Sequence, residues 1–227
     1  MIETVAQEAE ERAERRCVAK KGEENTQKEM VKCERYSLGR REESSCPKVT
    51  RQLTVAFVAD CNYVRAFGGD KDAVRMAILT DALLVNDIFM RAFNFGITVS
   101  SIRLLAKCDA FGPDAFNVPC TIHPGVDEAL NRFSLWRGKQ DGEDAAIVHL
   151  VTACPFGDIV GLSWINAACR STAVKAPNGD IVAGTSITVL TDNHYSVMAH
   201  ELAHNLGAVH DCDDALCSAR CTDRVAC

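Results

Sequence analysis

The chain lacks any long uncharged apolar run, which excludes a helical membrane span within it. It shows no internal repeat and no low-complexity tract, so neither a stacked array nor a biased, unfolded polymer describes it. Asn-x-Ser/Thr acceptors are absent, which leaves N-linked glycosylation no site. The opening residues, Met1 to Glu10, are charged and hold no apolar centre, so no signal peptide is legible there. A basic surplus is missing as well: 25 Lys and Arg stand against 31 Asp and Glu, a formal net charge of −6. The imbalance is concentrated, with 11 acidic and 12 basic side chains in residues 1–52 and 20 and 13 in the remainder. An acidic main body argues against nucleic acid or an anionic membrane as partner.

Cysteine is what the chain holds in quantity. There are twelve, at positions 17, 33, 46, 61, 108, 120, 154, 169, 212, 217, 221 and 227. An even, high count spread through a domain implies disulfides and an oxidising compartment, hence a secreted or extracellular protein. Reduced core cysteines in a cytosolic protein are the competing reading. With 227 residues, 47% of them hydrophobic, the chain can bury one sizeable core. One main domain with an appendage, working as a monomer, is expected.

Twelve consecutive residues carry the chemistry: His200-Glu201-Leu202-Ala203-His204-Asn205-Leu206-Gly207-Ala208-Val209-His210-Asp211. Histidines four apart on a helix lie on one face, so His200 and His204 can bind a single ion. Glu201 sits beside the first ligand, where a carboxylate can take a proton from water at the metal. Gly207 can adopt positive φ, end the helix and turn the chain back, so that His210 arrives as a third ligand. Three imidazoles leave one tetrahedral position open, which marks a catalytic Zn2+ site rather than a structural one. A surface helix with scattered histidines is the bland alternative.

This H-E-x-x-H-x-x-G-x-x-H pattern resembles that of the metzincin endopeptidases. Asp211 directly after the third histidine is similar to the adamalysin, or reprolysin (ADAM-like), branch. So are the segments Leu53 to Cys61, Asn131 to Gly138 and Val160 to Trp164, which resemble its fungal-type members in particular. The resemblance runs over about residues 46–217. It implies a zincin-like α/β fold: a mixed twisted sheet with long helices, one of them the zinc-binding active-site helix, linked by disulfides. It also implies a bound zinc ion, Glu201 as the catalytic base, and protein or peptide substrates. Gly161, Leu162, Ser163 and Trp164 match the edge strand that lines the family's cleft. An exposed edge offers unpaired N–H and C=O groups, so an extended peptide can add to it as another strand. Asp211 is expected to anchor the chain behind His210 through hydrogen bonds, with Gly207 shaping the turn, rather than to bind metal.

Along the chain, residues 1–45 are close to half charged and read as a leader, either a propeptide remnant or a linker. Arg40-Arg41 is a candidate processing site, and a free Cys17 or Cys33 could hold the zinc in a latent form, as in some relatives. The catalytic domain is expected over residues 46–227. Periodicity predicts strands at Leu53 to Ala59, Gly96 to Leu105, Ala145 to Val151, Ile159 to Ile165 and Ser186 to Leu190. It predicts helices at Asp70 to Phe93, Gly125 to Trp136 and from His194 or Tyr195 to Leu206. Gly112-Pro113 breaks a loop over residues 106–124, and Asn178-Gly179 marks a turn. Strand–helix alternation of this kind predicts a sheet carrying helices on its faces. His123 and His149 read as structural and His194 as exposed. The last four cysteines are spaced for disulfides rather than for a metal knuckle.

One feature departs from the metzincin pattern. The family carries a methionine-containing turn after the third histidine, and the last methionine here is Met198. The sequence is therefore expected to be truncated before that turn, with its lower subdomain incomplete. The alternative function is a catalytically inactive, secreted, cysteine-rich binding protein on a protease-derived scaffold.

Overall fold

The structure is a computed structural model that describes residues 51–109, 112, 115–140 and 144–210. The leader, the candidate processing site, Asp211 and the terminal cysteine group lie outside these residues.

The first strand, β1 (Arg51–Ala59), becomes buried from Val55 onward because both its faces are covered, as its continuous Val-Ala-Phe-Val-Ala run foretells. Asp60 ends it and opens α1 (Cys61–Ala66), its carboxylate accepting from the Tyr63 N–H at 2.7 Å. The long α2 (Lys71–Phe93) starts the same way, with Asp70 accepting from the amides of Asp72 and Ala73, and stops where Asn94 turns left-handed. It returns the chain to β2 (Phe95–Leu104), parallel to β1. A 3-10 turn at Cys120–Ile122 leads into α3 (Val126–Gly138) and then β3 (Ile147–Thr152), every residue of which is buried. After it come β4 (Gly161–Ser163), a small hairpin of β5 (Val174–Lys175) and β6 (Ile181–Val182), β7 (Thr185–Val189) and α4 (His194–Asn205).

The main sheet runs β2-β1-β3-β7-β4, with β4 alone antiparallel and at the edge. Alternation along the strands divides the core into two layers. Val55, Phe57, Ile147 and Val151 pack on one face against α2 and α4, with Ile78, Phe89 and Leu202 among their partners. Ala56, Val58, Leu150 and Ile187 pack on the other against Phe133 and Leu130 of α3. The mixed α/β class expected from the alternation is present. Disulfides Cys61–Cys108 and Cys120–Cys154 tie the long loop after β2 to the ends of β1 and β3. No helix among the described residues is long and apolar enough to cross a membrane.

Boundaries moved where tertiary contacts decide them. The strand expected over Ile159 to Ile165 shrinks to Gly161–Ser163, since the chain leaves β7 after Ser163 to meet the end of α4. Helix α1 and the β5–β6 hairpin were not anticipated from the sequence.

Candidate metal centre

Helix α4 presents the two motif histidines on one face, one turn apart. His204 is buried, His200 half-buried and His210 exposed, and their Nε2 atoms converge. His200 and His204 are 2.9 Å apart, His204 and His210 3.0 Å, and His200 and His210 3.1 Å. Nitrogens bound at about 2.0–2.1 Å around a tetrahedral ion stand roughly 3.3 Å apart, close to this spacing. Three ring nitrogens cannot satisfy one another around a single point, so the donor set fits a cation between them. His204 also has its tautomer set: Nδ1 donates to the Ala208 carbonyl at 2.8 Å, which turns the Nε2 lone pair toward the centre. Burial, together with the neighbouring His204 and His210, lowers the pKa of His200 to about 4, so its ring is neutral and able to bind metal at neutral pH.

The third histidine is brought in by the way α4 ends. Gly207 sits at φ +104°, its N–H bonds the His204 carbonyl, and the Ala208 N–H bonds the Ala203 carbonyl. That is a Schellman closure, which reverses the chain toward the helix face carrying His200. The loop after β4 caps the same end: the amides of Asn166 and Ala168 donate to the carbonyls of His204 and Asn205. Asn205, fully buried, donates from Nδ2 to the carbonyls of Trp164 and Thr185. This pin between α4, β4 and β7 was not read from the sequence, although an asparagine inside the motif was its visible sign.

Glu201 faces the edge strand. It is 5% exposed, and Ser163 Oγ donates to its Oε2 at 2.8 Å. Burial pushes its carboxyl up to about 7, against the lowering effect of the Ser163 hydrogen bond. A carboxyl in that range can both accept and return a proton near neutrality. Gly161 lies against the same side chain: a Cβ there would stand 2.5 Å from Glu201 Oε1 and 2.7 Å from Val197 Cγ1.

The four residues of the expected edge strand divide between the two layers. Gly161 and Ser163 face α4, whereas Leu162 and Trp164 pack with the α3 core, and Trp164 Nε1 donates to Ser134 Oγ at 2.8 Å. The side chains of Leu162 and Trp164 are thus committed to the α3 layer, and the Trp164 carbonyl accepts from Asn205. The strand is at the sheet edge, and the Val160 carbonyl accepts from Val189, so pairing alternates to leave Gly161 and Ser163 backbone groups pointing outward.

His194, expected to be exposed, is instead largely enclosed. Its Nε2 bonds Asp81 Oδ2 at 2.6 Å and its Nδ1 the Thr191 carbonyl at 2.7 Å. The reason is that α2 crosses the start of α4, a contact that no local pattern announces. His149 is buried and bonds Ser186 Oγ, and burial lowers its pKa to about 3, in keeping with a structural role. A second grouping of Asp60, His123 and Cys154 has its sulfur committed to the disulfide with Cys120, which leaves only two donors.

Comparison with known proteins gives a consistent result. Residues 49–227 match the reprolysin-type family described as metallo-peptidase family M12. A disintegrin and metalloproteinase domain-containing protein B from Aspergillus fumigatus is 34% identical over 179 residues, covering 77% of this chain and 22% of that protein. Its counterpart from Trichophyton verrucosum is 35% identical over 187 residues, covering 77% and 23%. The zinc metalloprotease mde10 of Schizosaccharomyces pombe is 26% identical over 192 residues, covering 77% and 37%. The chain thus spans under a quarter of the length of the first two.

Proposed function

Since the chain belongs to metallo-peptidase family M12, of reprolysin type, we propose that it carries the catalytic unit of a secreted zinc endopeptidase acting on proteins or peptides. The observation that carries this reading is the meeting of three imidazole Nε2 atoms within 3.1 Å of one another beside a buried Glu201. His200, His204 and His210 would hold the zinc. When bound, the ion supplies a Lewis acid that acidifies water and polarises a carbonyl.

The remaining work falls to the chain's own residues. An extended peptide adds to the outer edge of β4, where backbone groups of Gly161 and Ser163 fix its direction and register. That alignment brings one peptide bond alongside α4. Glu201 accepts the proton of the attacking water and returns it to the leaving amine. Burial of the carboxylate keeps bulk water from competing for that proton. The two disulfides suit an oxidising compartment. The catalytic domain is taken to be residues 46–227.

The test is cleavage of a quenched fluorescent peptide library with and without chelator. Cleavage that stops on chelation, returns with zinc and falls at least about 10²-fold in Glu201→Ala is expected. Equal cleavage by Glu201→Ala, or insensitivity to chelation, would overturn the reading and favour a binding protein on this scaffold.

A further inference from the structure

Two residues of β4, separated by one, meet the Glu201 carboxylate from the same face of the strand. Ser163 Oγ donates to Oε2 at 2.8 Å. Gly161 presents bare backbone where a Cβ would lie 2.5 Å from Oε1 and 2.8 Å from Cγ. Val197, one turn before Glu201 on α4, closes the same recess. One carboxylate oxygen is therefore tethered, and the other occupies a space that exists because residue 161 has no side chain. Among the described residues, no hydrogen bond to Oε1 accompanies the one to Oε2, so the two oxygens are held by different contacts.

We propose that Ser163 and Gly161 are positioning residues for Glu201, so that the strand which aligns the substrate backbone also sets where the proton-accepting oxygen stands. This rests on Glu201 acting as the base. A glutamate on a helix surface has three rotatable side-chain bonds, and each added rotamer lowers the fraction of time the carboxylate spends in a productive place. The β4 contacts remove that freedom before substrate arrives. They also couple the two halves of the reaction geometrically, because a shift of β4 carries both the peptide and the carboxylate with it. A bare glycine cannot hold the base alone, and a serine alone would leave Oε1 free to swing, so the two contacts act together.

The test uses the zinc-loaded full chain as wild type, Ser163→Ala, Ser163→Thr and Gly161→Ala, with fluorescent casein as substrate. Zinc content, melting temperature and crystal structures are obtained for each. Ser163→Ala is expected to lower kcat about tenfold, the scale of one hydrogen bond to a charged group, with KM changed less than about twofold. Its zinc content and melting temperature should stay at wild-type values, and Glu201 should adopt several rotamers in place of one. Ser163→Thr keeps the hydroxyl and should recover most of kcat. Gly161→Ala should displace the carboxylate and lower kcat at least as far while retaining zinc. Wild-type kcat in Ser163→Ala, or an effect confined to KM, or a Glu201 side chain that keeps its single rotamer, overturns the proposal. If wild type itself shows no chelator-sensitive cleavage, the endopeptidase reading has failed instead, and the rotamer comparison still decides whether β4 holds the carboxylate.

Discussion

His194 shows how much one contact can change a residue's role. Both ring nitrogens donate, to Asp81 and to the Thr191 carbonyl, which makes the ring an imidazolium paired with a carboxylate. The Asp81 hydrogen bond raises the His194 pKa, and burial opposes it less strongly. A histidine raised in the folded state stabilises fully below its unfolded value, about 6.5, and loses that contribution as pH rises through the raised value. Its neighbours do not blur this window. Burial and the Asp81 charge push Tyr63 upward, and burial holds His149 neutral, down to about 3. In urea titrations from pH 6 to pH 9, wild-type stability should fall relative to Asp81→Asn. At pH 6 the variant should be less stable by about 1–3 kcal/mol, the value of a hydrogen bond to a charged group. Parallel curves for the two proteins would remove this pair from the account. No sequence pattern could show it, because its partners lie 113 residues apart.

At the scale of elements, the end of α4 decides whether His210 reaches the proposed metal site. Gly207 has φ +104° and its nearest non-neighbouring atoms, from Asn166, stand 3.7 Å or more from where a Cβ would be, so backbone conformation rather than space is the constraint. Gly207→Ala should destabilise the turn by about 1–2 kcal/mol. Because the strain acts on the segment carrying His210, zinc affinity in a competitive chelator titration should fall by about tenfold or more, while α4 itself stays helical by circular dichroism. Unchanged affinity would mean that the turn does not set the ligand. Here the sequence was legible: a glycine three residues after His204, followed by a third histidine, spells a helix stop and a return. It was less legible for β4, whose apolar run looked longer than the three residues that pair. The loop beyond Ser163 is taken up in capping α4, a demand made by another element. Helix α1 had a visible start in Asp60, but its six residues are too short for periodicity to reveal.

For the whole molecule, the proposed metal centre would link folding to zinc. Two of the three converging histidines sit on α4 and the third beyond its end, so the unfolded chain does not hold them together. An ion that binds the folded state alone stabilises it by about 2.7 kcal/mol at a concentration one hundred times its Kd. For a domain of this size that is worth several degrees of melting temperature, at roughly 2–4 °C per kcal/mol. Calorimetry should show the zinc-dependent rise in wild type and its loss in His204→Ala. A rise of equal size in that variant would place the stabilising zinc elsewhere.

The sequence by itself determined the class of fold and pointed to the proposed ligand set and base, since these depend on spacings of a few residues and on the alternation of strand and helix. The order of the strands and the direction of each pairing came only from the structure, because they depend on which distant segments lie side by side. Only the tertiary structure decided what surrounds Glu201, because Ser163 and Gly161 reach it from a strand 38 and 40 residues earlier. It likewise decided that His194 is enclosed and that Leu162 and Trp164 turn into the α3 layer. Local chemistry travels with the chain, whereas the placing of a carboxylate depends on which distant backbone lies against it.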